Sequence, residues 1–310
     1  MIFLQIGLLA IGFVMLVKGA DWFVDGAAGI ASKFGIPQLV VGLTIVAMGT
    51  SAPEAAVSIT AAFKGSADIA IGNVVGSNIL NILIILGLTG LIATVAVQKS
   101  TLFVEIPFML LITVILIVLG MFGGTVNRVE GIILWILFII YLAYLFVMAK
   151  KGNQDEGDDK EERAAWKLLA LIIVGGVIVV WGSNITVDAA TTIAKMLHIS
   201  DRFIGLTIVA LGTSLPELVT SVTAARKGNA DIAIGNIVGS NIFNILFVIG
   251  TSALIIPITY ASSFLIDGII AVAAGVLLWI ATVRKKALNR TWGIIMLIGY
   301  AAYFVYLVLQ

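Results

Sequence analysis

Two glutamates stand in otherwise apolar stretches of the chain, and each directly follows a proline. The stretch "MGTSAPEAAV" carries Pro53 and Glu54, and the stretch "LGTSLPELVT" carries Pro216 and Glu217. A carboxylate in the middle of a bilayer costs several kcal/mol unless it faces the protein interior and has a partner. Because no Lys or Arg lies near the middle of these stretches, the two acids require bound cations or shared protons.

The prolines are expected to supply further oxygen ligands through the main chain. Pro53 has no N–H group and its ring crowds the preceding turn, which frees the carbonyl of Gly49 and disturbs that of Thr50. Pro216 is expected to act in the same way in the second stretch. Irregular backbone at membrane depth is tolerated where it lines a cavity or is buried in protein. The two breaks therefore predict neutral oxygens beside a negative charge, an arrangement that suits a hard cation.

Serine and asparagine side chains add oxygen atoms at helical spacing. Ser77 and Asn81 are four residues apart, as are Ser240 and Asn244, so each pair lies on one face of a helix. An all-oxygen cluster with two negative charges suits calcium, or several sodium ions, better than zinc, which favours nitrogen and sulfur. The side chains of the candidate cation site are Glu54, Glu217, Ser51, Ser214, Ser77, Ser240, Asn81 and Asn244.

The two glutamate stretches belong to a repeat within the chain. At an offset of 163 positions, "GLTIVAMGTSAPE" (42–54) matches "GLTIVALGTSLPE" (205–217), and "ADIAIGNVVGSNILNIL" (67–83) matches "ADIAIGNIVGSNIFNIL" (230–246). Both copies also contain glycines four residues apart, which let helices approach closely. These glycines are Gly72, Gly76, Gly235 and Gly239. The duplication predicts that side chains of the two copies assemble one site across a pseudo-two-fold axis.

Composition identifies an integral membrane protein. The 310 residues are 61% hydrophobic and 11% charged, whereas soluble domains average about 45–50% apolar and about 25% charged residues. A helical span needs about 20 mostly apolar residues, and the runs here are too long and too continuous for barrel strands. We therefore expect an all-α membrane protein with ten transmembrane helices. The ten runs cover residues 2–20, 37–63, 69–93, 102–122, 129–149, 166–187, 202–225, 232–257, 262–283 and 291–309.

The ten spans divide into two five-helix repeats. The first repeat covers residues 1–149, a charged cytoplasmic linker covers 150–164, and the second repeat covers 165–310. Because five is odd, the second copy enters the membrane from the opposite side, and such inverted repeats are typical of transporters. With both termini outside the cell, fourteen Lys and Arg residues lie on the cytoplasmic side and four lie outside. This distribution follows the positive-inside rule and predicts a multi-pass protein of the cell membrane with extracellular termini.

Other features of the sequence exclude further kinds of site. The chain has no cysteine, which excludes thiolate metal sites, and its net charge of +1 provides no general basic surface for nucleic acid. The acidic residues of "KKGNQDEGDDKEER" do not have EF-hand spacing, so this stretch is interpreted as a solvated linker. Asp25 and Asp188 repeat at the same offset near predicted helix ends, where we expect local capping.

The motifs "GTSxPE" and "GNxVGSNIxNIL", present twice and in the same order, resemble the alpha repeats of the calcium/cation antiporter superfamily. They are most similar to its prokaryotic sodium/calcium exchanger branch. The resemblance implies electrogenic exchange of sodium for calcium by alternating access, in which the first helix of each repeat slides against a bundle containing the site. It implies transported Na⁺ and Ca²⁺ as the bound ions. We expect no resident cofactor, no enzymatic activity and no obligate protein partner. The implied cation ligands are Glu54, Glu217, Ser51, Ser214, Ser77, Ser240 and Asn81, with main-chain oxygens from Ala47, Thr50, Ala210 and Thr213.

The chain departs from some relatives in two places. Its short linker argues against the large cytoplasmic regulatory region that animal exchangers carry between the halves. Asn244 occupies a position where the potassium-dependent branch has Asp, which weakens the case for potassium co-transport and leaves the ion stoichiometry open.

Three alternative functions compete with sodium/calcium exchange. Exchange of calcium for protons on the same fold is the first, because protons would compete with cations for two nearby acids. A passive cation channel is disfavoured by the inverted repeats and by the closed cluster of ligands. An intramembrane hydrolase is least supported, because there is no buried histidine and the "GTS" serines lack an evident base.

Overall fold

The chain folds as a bundle of helices with the length and composition of membrane spans. A computed structural model describes residues 2–65, 67–152, 162–197, 210–260 and 263–309. Within these ranges eight helices are long and apolar enough to cross a membrane, or nine if one bent pair counts as a single span. An all-helical membrane fold was predicted, and at this level it is confirmed.

The helices are numbered here in chain order. They are α1 (Ile2–Phe34), α2 (Gln38–Thr50), α3 (Ala52–Phe63), α4 (67–92), α5 (101–123), α6 (Arg128–Gly152), α7 (Ala165–Met196), α8 (Ala210–Thr213), α9 (Leu215–Arg226), α10 (Ala230–Ile255), α11 (Ser263–Val283) and α12 (Arg290–Leu309). The predicted span 202–225 is represented by α8 and α9. Residues 202–209 of this span, and residues 153–161 of the predicted linker, lie outside the described ranges.

Each proline of the glutamate stretches stands just after a break between two helices. The helices α2 and α3 meet at a bend of 51°, with Ser51 between them and Pro53 in the first turn of α3. Ser214 separates α8 from α9 in the same way, and Pro216 lies in the first turn of α9. Proline is well tolerated there because the first N–H groups of a helix have no intrahelical partner. The sequence correctly predicts a break beside Pro53.

The helices α4 and α10 form the centre of the bundle. Their most apolar windows are 72% and 94% buried, against 17% for α1 and α12. Gly239 brings α10 against α2, because a Cβ atom added there would lie 2.8 Å from the Cβ atom of Ala47. Gly235 makes a similar approach to Leu39, so the predicted close packing is confirmed for this pair of glycines. Around Gly76, no described atom lies within 4 Å of such a Cβ position.

The long helices α1 and α7 pack directly on each other. A Cβ atom at Gly19 would lie 2.9 Å from the main-chain oxygen of Gly175, so only glycine permits this separation. The helix α1 has 33 residues and is about 50 Å long at 1.5 Å per residue, longer than the predicted span 2–20. Asp25 and Asp188 therefore lie inside helices, and the expectation that they cap helix ends is wrong.

Two short antiparallel ribbons connect the first half of the chain to the second. The strand β1 (Val95–Ala96) pairs with β4 (Ala287–Leu288), and β2 (Thr125–Val126) pairs with β3 (Ile258–Thr259). Each strand has only two residues, so periodicity in the sequence gave no sign of them. The first ribbon joins the α4–α5 connector to the α11–α12 connector, and the second joins the α5–α6 connector to the α10–α11 connector. Neither ribbon contributes a residue to the candidate site.

Candidate cation site

Each serine at a helix break donates a hydrogen bond to the glutamate of the other copy. The hydroxyl of Ser51 donates to Oε1 of Glu217 at 2.8 Å. The hydroxyl of Ser214 donates to Oε1 of Glu54 at 3.1 Å. Both carboxylates are completely buried. The two broken helix pairs therefore meet, and they bring the two acids of the repeat into one cluster.

The second oxygen of each carboxylate has no protein partner. Oε2 of Glu54 and Oε2 of Glu217 are buried and accept no hydrogen bond. Neither glutamate takes part in an ion pair within the described ranges. A buried charge without a partner is costly, so these two oxygen atoms are expected to face a cation.

Two asparagine side chains add unpartnered oxygen atoms to the same cluster. Asn81 donates from Nδ2 to Oδ1 of Asn241 at 2.9 Å, and Asn244 donates from Nδ2 to Oδ1 of Asn78 at 3.2 Å. Each NH₂ group thus points toward a neighbouring asparagine. Oδ1 of Asn81 and Oδ1 of Asn244 are consequently buried without a partner.

Main-chain carbonyls fix which way these amides point. Asn78 donates from Nδ2 to the main-chain oxygen of Asn241, and Asn241 donates to that of Asn78, both at 3.1 Å. A carbonyl oxygen only accepts, so each Nδ2 must face it and each Oδ1 must face the neighbouring amide. Asn81 and Asn244 must then turn their NH₂ groups toward these oxygens. Sequence reasoning missed Asn78 and Asn241, although both follow the serine of the repeated "GSN" motif.

Another pair of asparagines, also missed from the sequence, holds the main chain at each glutamate. Asn73 donates from Nδ2 to the hydroxyl of Ser58 at 2.9 Å and to the main-chain oxygen of Glu54 at 3.3 Å. Asn236 makes the corresponding two bonds in the second copy. These bonds fix the position of the helix turn that carries each acid.

The remaining predicted residues surround this cluster. Ser240 donates to the main-chain oxygen of Ala47 at 3.4 Å, and Thr50 donates to Oδ1 of Asn236 at 3.0 Å. Ser77 is buried one turn before Asn81 on α4.

Two predicted ligands belong to the short helix α8. Thr213 ends α8 and lines a cavity beside the cluster. Ala210 begins α8, and its side chain lies outside the described part of the chain.

A cavity of about 590 Å³ lies beside the cluster. It lies between α3, α7 and α8, with Pro53, Asp188 and Thr213 in its walls. On the other side, Leu16 of α1 is fully buried in a group of side chains that packs against Leu215 of α9. We call these two sides the open side and the closed side.

An ion pair joins the helices of the closed side. Lys227, just after α9, places Nζ 2.8 Å from Asp25 Oδ1 and 3.3 Å from Asp21 Oδ1, both on α1. The corresponding residues of the open side are Lys64 and Asp188, and no ion pair joins them in the described structure. The two sides therefore differ although their sequences correspond.

The chemistry available in the cluster is that of oxygen ligands around a hard cation. Among the described residues, no three or more His, Cys, Asp or Glu side chains lie close enough together to hold a metal ion. The cluster instead combines two carboxylates with amide, hydroxyl and carbonyl oxygens. Oxygen ligands of this kind suit calcium and sodium.

Comparisons with known proteins agree with this chemistry. A sequence model for the family described as "Sodium/calcium exchanger protein" matches residues 4–147 and 167–309. The chain is 34% identical to the sodium/calcium exchanger MaX1 of Methanosarcina acetivorans over 97% of both chains. It is 36% identical to the inner membrane protein YrbG of Escherichia coli K12 over 89% of both chains. A solved structure of the sodium-calcium exchanger NCX_Mj is similar with a TM-score of 0.86 and 34% identity, covering 98% of this chain and 99% of that one. With the family match extending over both halves of the sequence, the chain belongs to the sodium/calcium exchanger protein family.

Proposed function

We propose that this protein exchanges sodium for calcium across the cell membrane by electrogenic alternating access. The proposal rests mainly on four buried oxygen atoms that have no protein partner. They are Oε2 of Glu54, Oε2 of Glu217, Oδ1 of Asn81 and Oδ1 of Asn244. Two of the four carry the negative charge of the site, and a calcium ion would neutralise both. Relatives that carry the name sodium/calcium exchanger support the same assignment.

The proposed ligand set is the one predicted from the sequence. Sodium and calcium would bind as substrates, and no resident cofactor is required. The proposed ligands are the side chains of Glu54, Glu217, Ser51, Ser214, Ser77, Ser240, Asn81 and Asn244 and the main-chain oxygens of Thr50, Thr213, Ala47 and Ala210.

The charge of the site offers a reason for coupling between the two ions. An empty site would carry two unpaired carboxylates through a dry intermediate, and desolvating such charges is expensive. One calcium ion, or several sodium ions using the neutral oxygens as well, would remove that cost. Only filled states would then change access from one side of the membrane to the other.

The proposed topology has ten spans in two inverted five-helix repeats. Residues 1–149 form the first repeat, residues 150–164 the cytoplasmic linker, and residues 165–310 the second repeat. The matched sequence copies and the distribution of Lys and Arg support this division, with both termini outside the cell.

In this topology the open side of the site faces the outside of the cell. Asp188 on the open side is followed in α7 by Lys195, which the proposed topology places outside. Lys227 and Arg226 on the closed side belong to the cytoplasmic set. The ion pair of Lys227 with Asp25 would therefore hold the cytoplasmic side closed.

Replacing Lys227 with glutamine is expected to expose the cytoplasmic side more often. An exposed ion pair contributes at most about 1 kcal/mol, which is up to about fivefold in the population of the competing state. The chain has no cysteine, so a single Val219→Cys change provides a labelling site on the closed side. We expect Lys227→Gln to raise the rate of its alkylation from the cytoplasmic side about two- to fivefold. Lys64→Gln in the same Val219→Cys protein is the matched control. Equal labelling of the Val219→Cys protein and of its Lys227→Gln and Lys64→Gln variants would contradict the proposed role of Lys227.

Calcium uptake into sodium-loaded proteoliposomes tests the proposed function. With a proton ionophore present, we expect uptake under an outward sodium gradient and none with equal sodium on both sides. If more than two sodium ions leave per calcium ion, a potential that is positive inside should accelerate uptake. Uptake driven by a pH gradient without sodium would instead identify a calcium/proton exchanger, and single-channel currents would identify a passive channel.

A further inference from the structure

A buried threonine on helix α9 leaves its hydroxyl without a partner. Thr220 is completely buried, and its Oγ1 atom makes no hydrogen bond in the described structure. A threonine inside a helix often donates to the main-chain oxygen four residues earlier. Thr89, Thr186 and Thr282 are buried, and each of them makes that bond. Because buried polar atoms are nearly always paired, the free hydroxyl of Thr220 requires an explanation.

Thr220 lies next to the candidate cation site, on its closed side. It follows Glu217 by three residues on α9, so the two side chains share a helix face. Three residues of helix span about 4.5 Å, and α9 continues from there to Arg226. The proposed topology places Arg226 in the cytoplasm. Thr220 is therefore one helical turn from Glu217 in the direction of the cytoplasm.

The internal repeat gives Thr220 a counterpart on the open side. At the offset of 163 positions, Thr220 matches Val57 of α3. Val57 lines the cavity of about 590 Å³ beside the site and is 43% exposed. Val219 likewise matches Ala56, an exposed residue in the wall of the same cavity. Corresponding helix faces therefore border a cavity on the open side and are buried on the closed side.

Opening of the closed side would give Thr220 the surroundings that Val57 has now. A hydroxyl in such a cavity both donates and accepts hydrogen bonds, so water and a hydrated cation would pair with it. On the basis of the alternating access proposed above, we propose that Thr220 lines the cytoplasmic path of the transported cation. Its hydroxyl is solvated when this side is open and unpaired when this side is closed, so it favours opening.

The two sides of the site differ in this respect. Closure of the outer side would bury the apolar side chain of Val57, whereas closure of the cytoplasmic side buries the hydroxyl of Thr220. The ion pair of Lys227 with Asp25 acts in the opposite direction, because it holds the cytoplasmic side closed. The unpaired hydroxyl would offset part of that stabilisation and keep the closed side able to open.

A cysteine at position 220 tests whether this residue lines the path. The natural chain has no cysteine, so a membrane-impermeant maleimide added to inverted membrane vesicles labels Thr220→Cys only from the cytoplasmic side. Ser221→Cys is the matched control. Ser221 and its counterpart Ser58 are both completely buried, so neither access state exposes this position. We expect labelling of Thr220→Cys and none of Ser221→Cys, and equal labelling of the two would contradict a path along one helix face.

Thr220→Val tests whether the unpaired hydroxyl favours opening. Valine keeps the shape of threonine without the hydroxyl, so the closed state loses the cost of an unpaired group. In the Val219→Cys protein, we expect Thr220→Val to slow labelling from the cytoplasmic side by about fivefold or more. Thr220→Ser keeps the hydroxyl and should not slow it. Thr223→Val, at a residue of α9 that is only partly buried, should also leave the rate unchanged.

The outcomes separate this proposal from the proposed function. If Val219→Cys is labelled at a rate that Thr220→Val does not change, the role of Thr220 is wrong and alternating access stands. Equal slowing by Thr220→Val and Thr220→Ser would assign the effect to packing and would also overturn that role. If neither Val219→Cys nor Thr220→Cys is labelled from the cytoplasm in sodium or in calcium, the closed side does not open. That result would contradict alternating access together with the role of Thr220.

Discussion

Glu217→Gln is expected to abolish sodium-driven calcium uptake. The change keeps the shape of the side chain but removes one of the two charges that a calcium ion would neutralise. Removing one partner from a buried charge pair costs about 3–5 kcal/mol, which is a factor of at least about 100 in affinity. The measurements are the initial rate of calcium uptake into sodium-loaded proteoliposomes and the calcium affinity of the purified protein.

Glu54→Gln is expected to have the same effect, because the two acids occupy corresponding environments. Ser214 donates to Glu54 just as Ser51 donates to Glu217. Asp267→Asn is the control, since Asp267 is an acid on a membrane helix that contributes no proposed ligand. Uptake by Glu217→Gln at more than a tenth of the unmodified rate would contradict the assignment of this carboxylate.

The sequence predicts the local chemistry of the site but not the contacts between its two halves. The break beside Pro53 was expected because proline cannot continue a helix, and the bend of 51° lies there. The hydrogen bond from Ser51 to Glu217 joins residues 166 positions apart. No rule of spacing along one helix predicts such a pair. The full twelve-residue ligand set stays a prediction.

Residues that act through other residues were the hardest to recognise in the sequence. Ser77 and Asn81 stood out because they share a helix face, whereas Asn78 lies on a different face and had no evident partner. Its partner is the main chain of α10, which only the packing of the two central helices reveals. The role of Asp25 was likewise misjudged, because its partner Lys227 is 202 residues away.

Asn241→Leu is expected to weaken calcium binding about tenfold although Asn241 is not a proposed ligand. Oδ1 of Asn241 accepts the hydrogen bond that turns the NH₂ group of Asn81 away from its own free oxygen. Leucine has a similar size but no acceptor, so the amide of Asn81 would no longer be held with oxygen toward the ion. Loss of a hydrogen bond to a group that contacts a charge costs about 1.5 kcal/mol or more. Calorimetry of calcium binding to purified protein measures the change.

A double-mutant cycle separates this positioning role from a general effect on packing. If Asn241 acts through Asn81, then Asn241→Leu should add little to the loss already caused by Asn81→Leu. The control pair is Asn241 with Asn244, because Asn244 donates its hydrogen bond to Asn78 instead. That second pair should show nearly additive losses. Additive losses for Asn241 with Asn81 would mean that Asn241 only supports the packing of α4 on α10, and the four-asparagine network would then have no part in presenting oxygen to the cation.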